Sequence, residues 1–178
     1  MVLPVKKNTA KMVAFGGVIT ALYVALTFAA NLLGLASGAI QVRISEALTI
    51  LPVFSAAAIP GLTVGCVLAN WLTGCAAWDV VFGSLATLIG AIGTRLLRKK
   101  PLLAWIPPVL SNAAIVPVVL MKVYGVNELT VFGHTFGEAW IWLILVLTVG
   151  IGEIISCGVL GLLLYRGVKD NPVLRDVA

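Results

Sequence analysis

Between Glu46 and Asp79 the chain carries no charged residue, and the same holds from Met12 to Val42 and from Pro101 to Met121. A hydrocarbon core about 30 Å thick is crossed by about 20 apolar helical residues, each rising about 1.5 Å. Several intervals of that length, apolar on every side, have no stable place in a water-soluble fold of this size. Composition agrees, with 61% hydrophobic residues, 11% charged residues and a mean hydropathy of +1.11. The expected fold class is therefore an all-α integral membrane protein, with residues 1–178 as a single membrane domain. Of the ionisable residues, 12 are Lys or Arg and 7 are Asp or Glu. In such a chain that surplus speaks to orientation in the bilayer and not to nucleic-acid binding.

The intervals divide into six expected helices, at about 12–34, 45–59, 61–77, 79–97, 102–123 and 138–166. The stretch from Ala47 to Trp78 is too long for one crossing, and Pro60-Gly61 is expected to break it into a hairpin of two short helices. Asp79 is a favourable N-cap for the fourth helix. Pro107, Pro108 and Pro117 predict kinks in the fifth. The segment VYGVNELTVFGHTFG is expected to be a glycine-punctuated loop with strand-like alternation in its second half. MVLPVKKNTAK is followed by no cleavage pattern, so the first apolar run is expected to be a retained helix. Six crossings place both termini on one side. With that side cytoplasmic, Lys6, Lys7, Lys11, Arg95, Arg98, Lys99, Lys100, Arg166, Lys169 and Arg175 lie inside, and only Arg43 and Lys122 lie outside. This asymmetry follows the positive-inside rule.

Ionisable groups are costly in a membrane, so each is a candidate for function. Glu46, Asp79 and Glu138 open helices at the expected outer side, Asn70 and Trp71 lie near the outer end of the third helix, and Trp78 and Trp140 neighbour two of the carboxylates. Carboxylate acceptors beside flat aromatic faces suit a planar, nitrogen-rich ligand. The competing readings are that Asp79 and Glu138 satisfy helix N-termini, that Arg43 and Glu46 pair with each other, and that the tryptophans form an interfacial belt. Glu153 and Asn112 fall mid-helix. A carboxylate at that depth is expected to face the bundle interior or a cavity, and Asn112 either joins it or makes an interhelical hydrogen bond.

His134 has no cysteine or carboxylate pattern around it, so no metal site is expected, and Cys66, Cys75 and Cys157 read as packing residues. No GxSxG, HExxH or phosphate-binding loop occurs, so neither catalysis nor a cofactor is expected. Gly17, Ala21, Ala25 and Ala29 recur every four residues and form a smooth helix face, suited either to packing within one bundle or to a partner.

QVRISEALTILP, PGLTVGCVLANWLTG and DVVFGSLATLIG together resemble the QueT family of queuosine-precursor transporters, whose members are substrate-binding S components of energy-coupling factor (ECF) transporters. The resemblance covers essentially the whole chain. It implies a six-helix bundle of the S-component type with cytoplasmic termini in the plasma membrane, and a high-affinity capture subunit without enzymatic activity. The implied ligand is a 7-deazaguanine, either the 7-aminomethyl or the 7-cyano base, or queuine. The implied partners are a transmembrane coupling subunit, met through Ala21 and Ala25, and two ATPase subunits. On this reading Glu46 or Asp79 accepts from the guanidine-like edge of the base, Asn70 or Arg43 reads its remaining polar groups, and Trp71 or Trp78 stacks on the ring. Glu153 and Asn112 then form the pocket floor. The alternatives are an S component for another vitamin-like substrate, a stand-alone proton-coupled carrier relaying through Glu153, and a non-transporting scaffold.

Overall fold

A computed structural model of the chain describes residues 9–35, 40–172 and 174. Lys6, Lys7 and Arg175, which enter the orientation argument, lie outside the described residues. The fold is mostly helical. In chain order it comprises α1 (Thr9–Leu32), a 3-10 helix (Ile44–Val53), α2 (Ala58–Leu72), α3 (Ala77–Leu96), a 3-10 turn (Pro101–Leu103) and α4 (Ile106–Lys122). A hairpin of β1 (Leu129–Val131) and β2 (His134–Phe136) follows. The last element is one long helix built from α5 (Glu138–Glu153), a π-helical segment (Ile154–Leu160) and α6 (Gly161–Val168). Four helical stretches are long and apolar enough to cross a membrane, namely Thr9–Leu32, Ala77–Leu96, Pro101–Lys122 and Glu138–Val168. Ile44–Val53 and Ala58–Leu72 are apolar but shorter.

Two local expectations are corrected. The break in the second apolar interval falls at residues 54–57, and Pro60 lies in the first turn of α2. A first-turn proline lacks only an N–H that the helix would leave unpaired anyway, so it does not end the helix there. Asp79 does not cap α3: Ala76 is the N-cap, and Asp79 is the third helical residue. Its carboxylate, 7% exposed, turns into the protein.

Consecutive helices pack side by side from α1 to α5, and the 3-10 helix threads between α1, α3, α6 and the π segment. Small residues set the closest approaches. A Cβ on Gly61 would lie 2.6 Å from the Gly16 carbonyl, and one on Gly65 would lie 2.8 Å from the Tyr23 Cβ. The Thr20 hydroxyl donates to the Gly61 carbonyl at 2.9 Å across the same α1–α2 seam. Gly90 and Gly93 give α3 the same closeness to Pro108 and Pro107 of α4. The buried side of α1 is thus Gly16, Ile19, Thr20 and Tyr23, while Gly17, Ala21 and Ala25 point away from the bundle and are exposed. Packing inside this bundle does not account for that small-residue face.

The two ends of the bundle differ. At one end Lys100, Arg166 and Lys169 surround a shallow depression, and the Arg95 guanidinium donates to the carbonyls of Pro52 and Val53 at 3.1 and 3.2 Å. At the other end lie Arg43, Lys122 and the β-hairpin. Its register pairs Thr130 with Thr135, whose hydroxyls are 2.8 Å apart. Phe132 and Gly133 turn it, both at positive φ, as a two-residue hairpin connection requires.

Candidate functional site

The C-terminal ends of α1, α2 and α4, the start of α3 and the segment before the 3-10 helix enclose a cleft of about 390 Å³ at the hairpin end of the bundle. Polar groups from separate elements converge on it: Asn31 from α1, Gln41 and Arg43 from the connecting segment, Asn70 and Thr73 from α2, Asp79 from α3, and Tyr124 just past α4. A larger groove of about 660 Å³ runs along α1 and α6, but apart from Lys11 and Asn171 its lining is apolar. Convergent polar groups in a concave site are what fix a ligand's orientation, and the cleft combines the two where the larger groove does not.

Asp79 is held in place by its neighbours. The Tyr124 hydroxyl donates to Asp79 Oδ2 at 2.8 Å and accepts from the Ala76 backbone N–H at 3.1 Å. Burial above all, with the Asp79 carboxylate beside it, pushes the Tyr124 phenol up to about 12, so it remains a donor across the physiological range. Gly83, one helical turn on from Asp79, clears the space between Asp79 and Asn70. A Cβ there would lie 3.1 Å from Asn70 Nδ2 and 3.5 Å from Asp79 Oδ1. The cleft lining therefore offers a carboxylate oxygen, an amide and a guanidinium.

Beneath the cleft lies a buried polar cluster. Arg43 lines the cleft, while its electrostatic neighbours Tyr23, Cys66, Glu46 and Glu153 lie deeper. Among the described residues Arg43 and Glu46 form no direct ion pair. The Tyr23 hydroxyl donates to Glu46 Oε1, and Glu46 Oε2 has no partner although Glu46 is only 1% exposed. The Cys157 thiol donates to Glu153 Oε2 at 3.2 Å, and the Asn112 carboxamide faces Glu153.

Local structure explains why these groups meet. The Ser156 hydroxyl donates to the Gly152 carbonyl at 2.9 Å and accepts from the Arg43 backbone N–H at 3.1 Å. Gly152 leaves room for the Gln41 carbonyl, which any side chain there would strike. The segment bearing Arg43 and Glu46 is thereby fastened to the last helix where that helix turns from α to π. Departures of this kind recur at functional sites because they re-aim side chains. Glu46, Glu153 and Cys157 carry ligand-type atoms within 4.8 Å of one another, the kind of trio that can hold a metal ion. A dication there would displace the thiol proton and would meet the charge of Arg43, which makes the trio a poor fit for one.

Arg43, Asn70 and Asp79 therefore share the cleft, with Glu46, Asn112 and Glu153 clustered below it. Trp71 and Trp78 do not join them: they are 68% and 62% exposed on the outside of the bundle, where Trp78 stacks on Phe82 with ring centroids 5.9 Å apart. Trp140 is equally exposed, and Glu138 occupies the first turn of α5 away from the cleft lining. His134 is exposed on the hairpin. Sequence reasoning missed Tyr124, Tyr23, Asn31 and Gln41. For Tyr23 a signal existed: at about 100° per residue it lies some 200° around α1 from Ala21, opposite the small-residue face.

A family profile described as the QueT transporter matches residues 13–170. The chain is also similar to the queuosine precursor transporter QueT of Lactococcus lactis subsp. cremoris (strain MG1363), 35% identical over 85 residues. That match takes in 47% of this chain and 49% of the relative, so the chain spans about half the length of the curated relative it matches. No solved structure matches the chain. The family and the relative are transporters and not enzymes. With a match running through nearly every described helix, the chain belongs to the QueT transporter family.

Proposed function

We propose that the chain is the substrate-binding S component of an ECF-type importer, capturing a queuosine precursor in the plasma membrane. The observation that carries this reading is the cleft. Arg43, Asn70 and Asp79 converge from three elements at the end of the bundle away from Lys100, Arg166 and Lys169. On the positive-inside rule that cleft opens outward, both termini are cytoplasmic, and the two short apolar helices complete six crossings. A 7-deazaguanine presents adjacent N–H donors and an O6 acceptor. Asp79 is the acceptor for the first, with Asn70 or Arg43 as donor to the second. Tyr124, at the cleft wall, is the aromatic placed to contact the ring in the role first assigned to Trp71 or Trp78.

The exposed face of Gly17, Ala21 and Ala25 supports docking to a transmembrane coupling subunit that carries two ATPase subunits. Calorimetric titration of the detergent-solubilised chain with aminomethyl- and cyano-deazaguanine, queuine, guanine, riboflavin and thiamine tests the reading. Tight binding confined to deazaguanines is expected. Binding to riboflavin or thiamine alone would reassign the substrate, and silence from a folded protein would overturn the capture role. A stand-alone carrier relaying protons through the buried Glu153 predicts instead uptake by this chain alone in vesicles, abolished by an uncoupler.

A further inference from the structure

Two buried carboxylates under a single guanidinium leave a charge unbalanced. Glu46 and Glu153 bring oxygens within 4.8 Å of each other, 1% and 7% exposed, in the middle of a bundle whose outer surface is apolar. Around them stand Tyr23 on α1, Arg43 before the 3-10 helix, Cys66 on α2, Asn112 on α4 and Cys157 on the last helix. α3 contributes no ionisable group at that depth, Asp79 lying higher in the cleft wall. With tyrosine and cysteines neutral, Arg43 offsets one carboxylate. A second net charge at that depth costs several kcal/mol.

A further observation points to an occupant. Glu46 Oε2, on a residue only 1% exposed, is a buried acceptor with no donor, while the Asn112 carboxamide reaches the other carboxylate, Glu153. An unpaired buried acceptor marks a position that a donor group of a ligand completes. Arg43 joins the cluster to the cleft, so the position is the floor of the same site.

We propose that the Glu46–Glu153 pair is a single-cation subsite: with the cleft empty the pair holds one proton, and it exchanges that proton for a positively charged group of the ligand. For a deazaguanine the group is the primary ammonium of an aminomethyl arm. The balance closes, because one proton leaves for solvent as one ammonium arrives, and the charge of the cluster is the same before and after. The subsite thus selects a cationic ligand over a neutral one of the same ring size. It rests on the reading of the cleft as a deazaguanine site.

The test uses the intact chain in detergent. Binding heats for the aminomethyl and cyano bases are measured at one pH in buffers of different ionisation enthalpy, whose slope gives the protons released. The expected result is about one proton released by the aminomethyl base and none by the cyano base, with the aminomethyl base bound at least about tenfold more tightly, as a charge-assisted contact implies. Equal affinities and equal proton counts for the two bases would overturn the subsite while leaving the cleft assignment standing. Binding of neither base by a folded protein would overturn both. Replacing sodium by choline separates the two sources of the resident charge: unchanged affinity is expected, and sodium-dependent affinity would overturn the proton as occupant. Glu153→Gln removes the exchange and is expected to reduce the proton count of the aminomethyl base to zero, so a count still near one would place the exchange elsewhere.

Discussion

Asp79→Asn separates charge from shape at the cleft wall. The side chain keeps its size, and Tyr124 can still donate to the remaining carbonyl oxygen, so the 2.8 Å contact and the local fold survive the change. What is lost is a carboxylate oxygen, Oδ1, which has no protein donor among the described residues and faces Asn70 across the gap left by Gly83. Hydrogen bonds to a charged partner contribute about 1.5 to 3 kcal/mol, which corresponds to about a ten- to hundredfold change in affinity. The amide also presents a donor where the ligand presents its own, so the upper half of that range is expected. The assay is calorimetric titration of the aminomethyl and cyano bases, with thermal unfolding monitored to show that the variant remains folded. Trp78→Phe serves as the control, because that indole lies outside the cleft and its loss is expected to leave affinity within about twofold. A folded Asp79→Asn protein of unchanged affinity, or a Trp78→Phe protein as impaired as Asp79→Asn, would refute the placement of the ligand.

Replacing Ala21 and Ala25 with leucine is expected to abolish uptake by the assembled transporter while leaving ligand binding by the isolated chain intact, and retained uptake in vesicles would count against the docking face. Gly61→Ala forces a methyl group to within 2.6 Å of the Gly16 carbonyl, and overpacking of this kind costs about 1–3 kcal/mol, visible as a lowered unfolding midpoint in detergent. The Tyr124 phenol is raised by burial and by Asp79 to about 12. Its raised value means that the Tyr124–Asp79 contact is fully present below about pH 10 and is lost as pH rises through about 12. The Tyr124→Phe variant is therefore expected to lose the alkaline part of the wild-type stability profile, and to match the wild type in the shape of its profile below pH 9.

The all-α membrane class is legible because hydropathy sums over whole helices and tolerates local error. Single-residue roles were less legible. Pro60 reads as a breaker in isolation, but the chain breaks at residues 54–57, where it emerges from the 3-10 helix. Asp79 reads as a cap because it is the first polar residue after an apolar run, although the cap lies three residues earlier at Ala76. Trp71 and Trp78 lie exposed outside the cleft lining, since near a helix end the facing direction depends on neighbours that sequence spacing does not supply. Arg43 and Glu46, three residues apart, suggested a pair. The fold gives the Glu46 carboxylate its hydrogen bond from Tyr23 and sets Arg43 near both Glu46 and Glu153, and the anchoring of Arg43 to Ser156 needs contact between segments more than a hundred residues apart.

The π segment Ile154–Leu160 is geometrically equivalent to one residue inserted into an α-helix. Each helical residue advances the chain by about 100°. Winding the same seven residues as uniform α-helix, with none removed, would swing everything before them by about that angle relative to everything after them. Glu153 would leave the cluster if Arg166 and Lys169 stayed at their end, or the basic residues would rotate if Glu153 stayed. The last helix is thus a phase adjuster that lets one rod serve an interior carboxylate and a basic exterior, and it is the π winding of this stretch that holds the two in register.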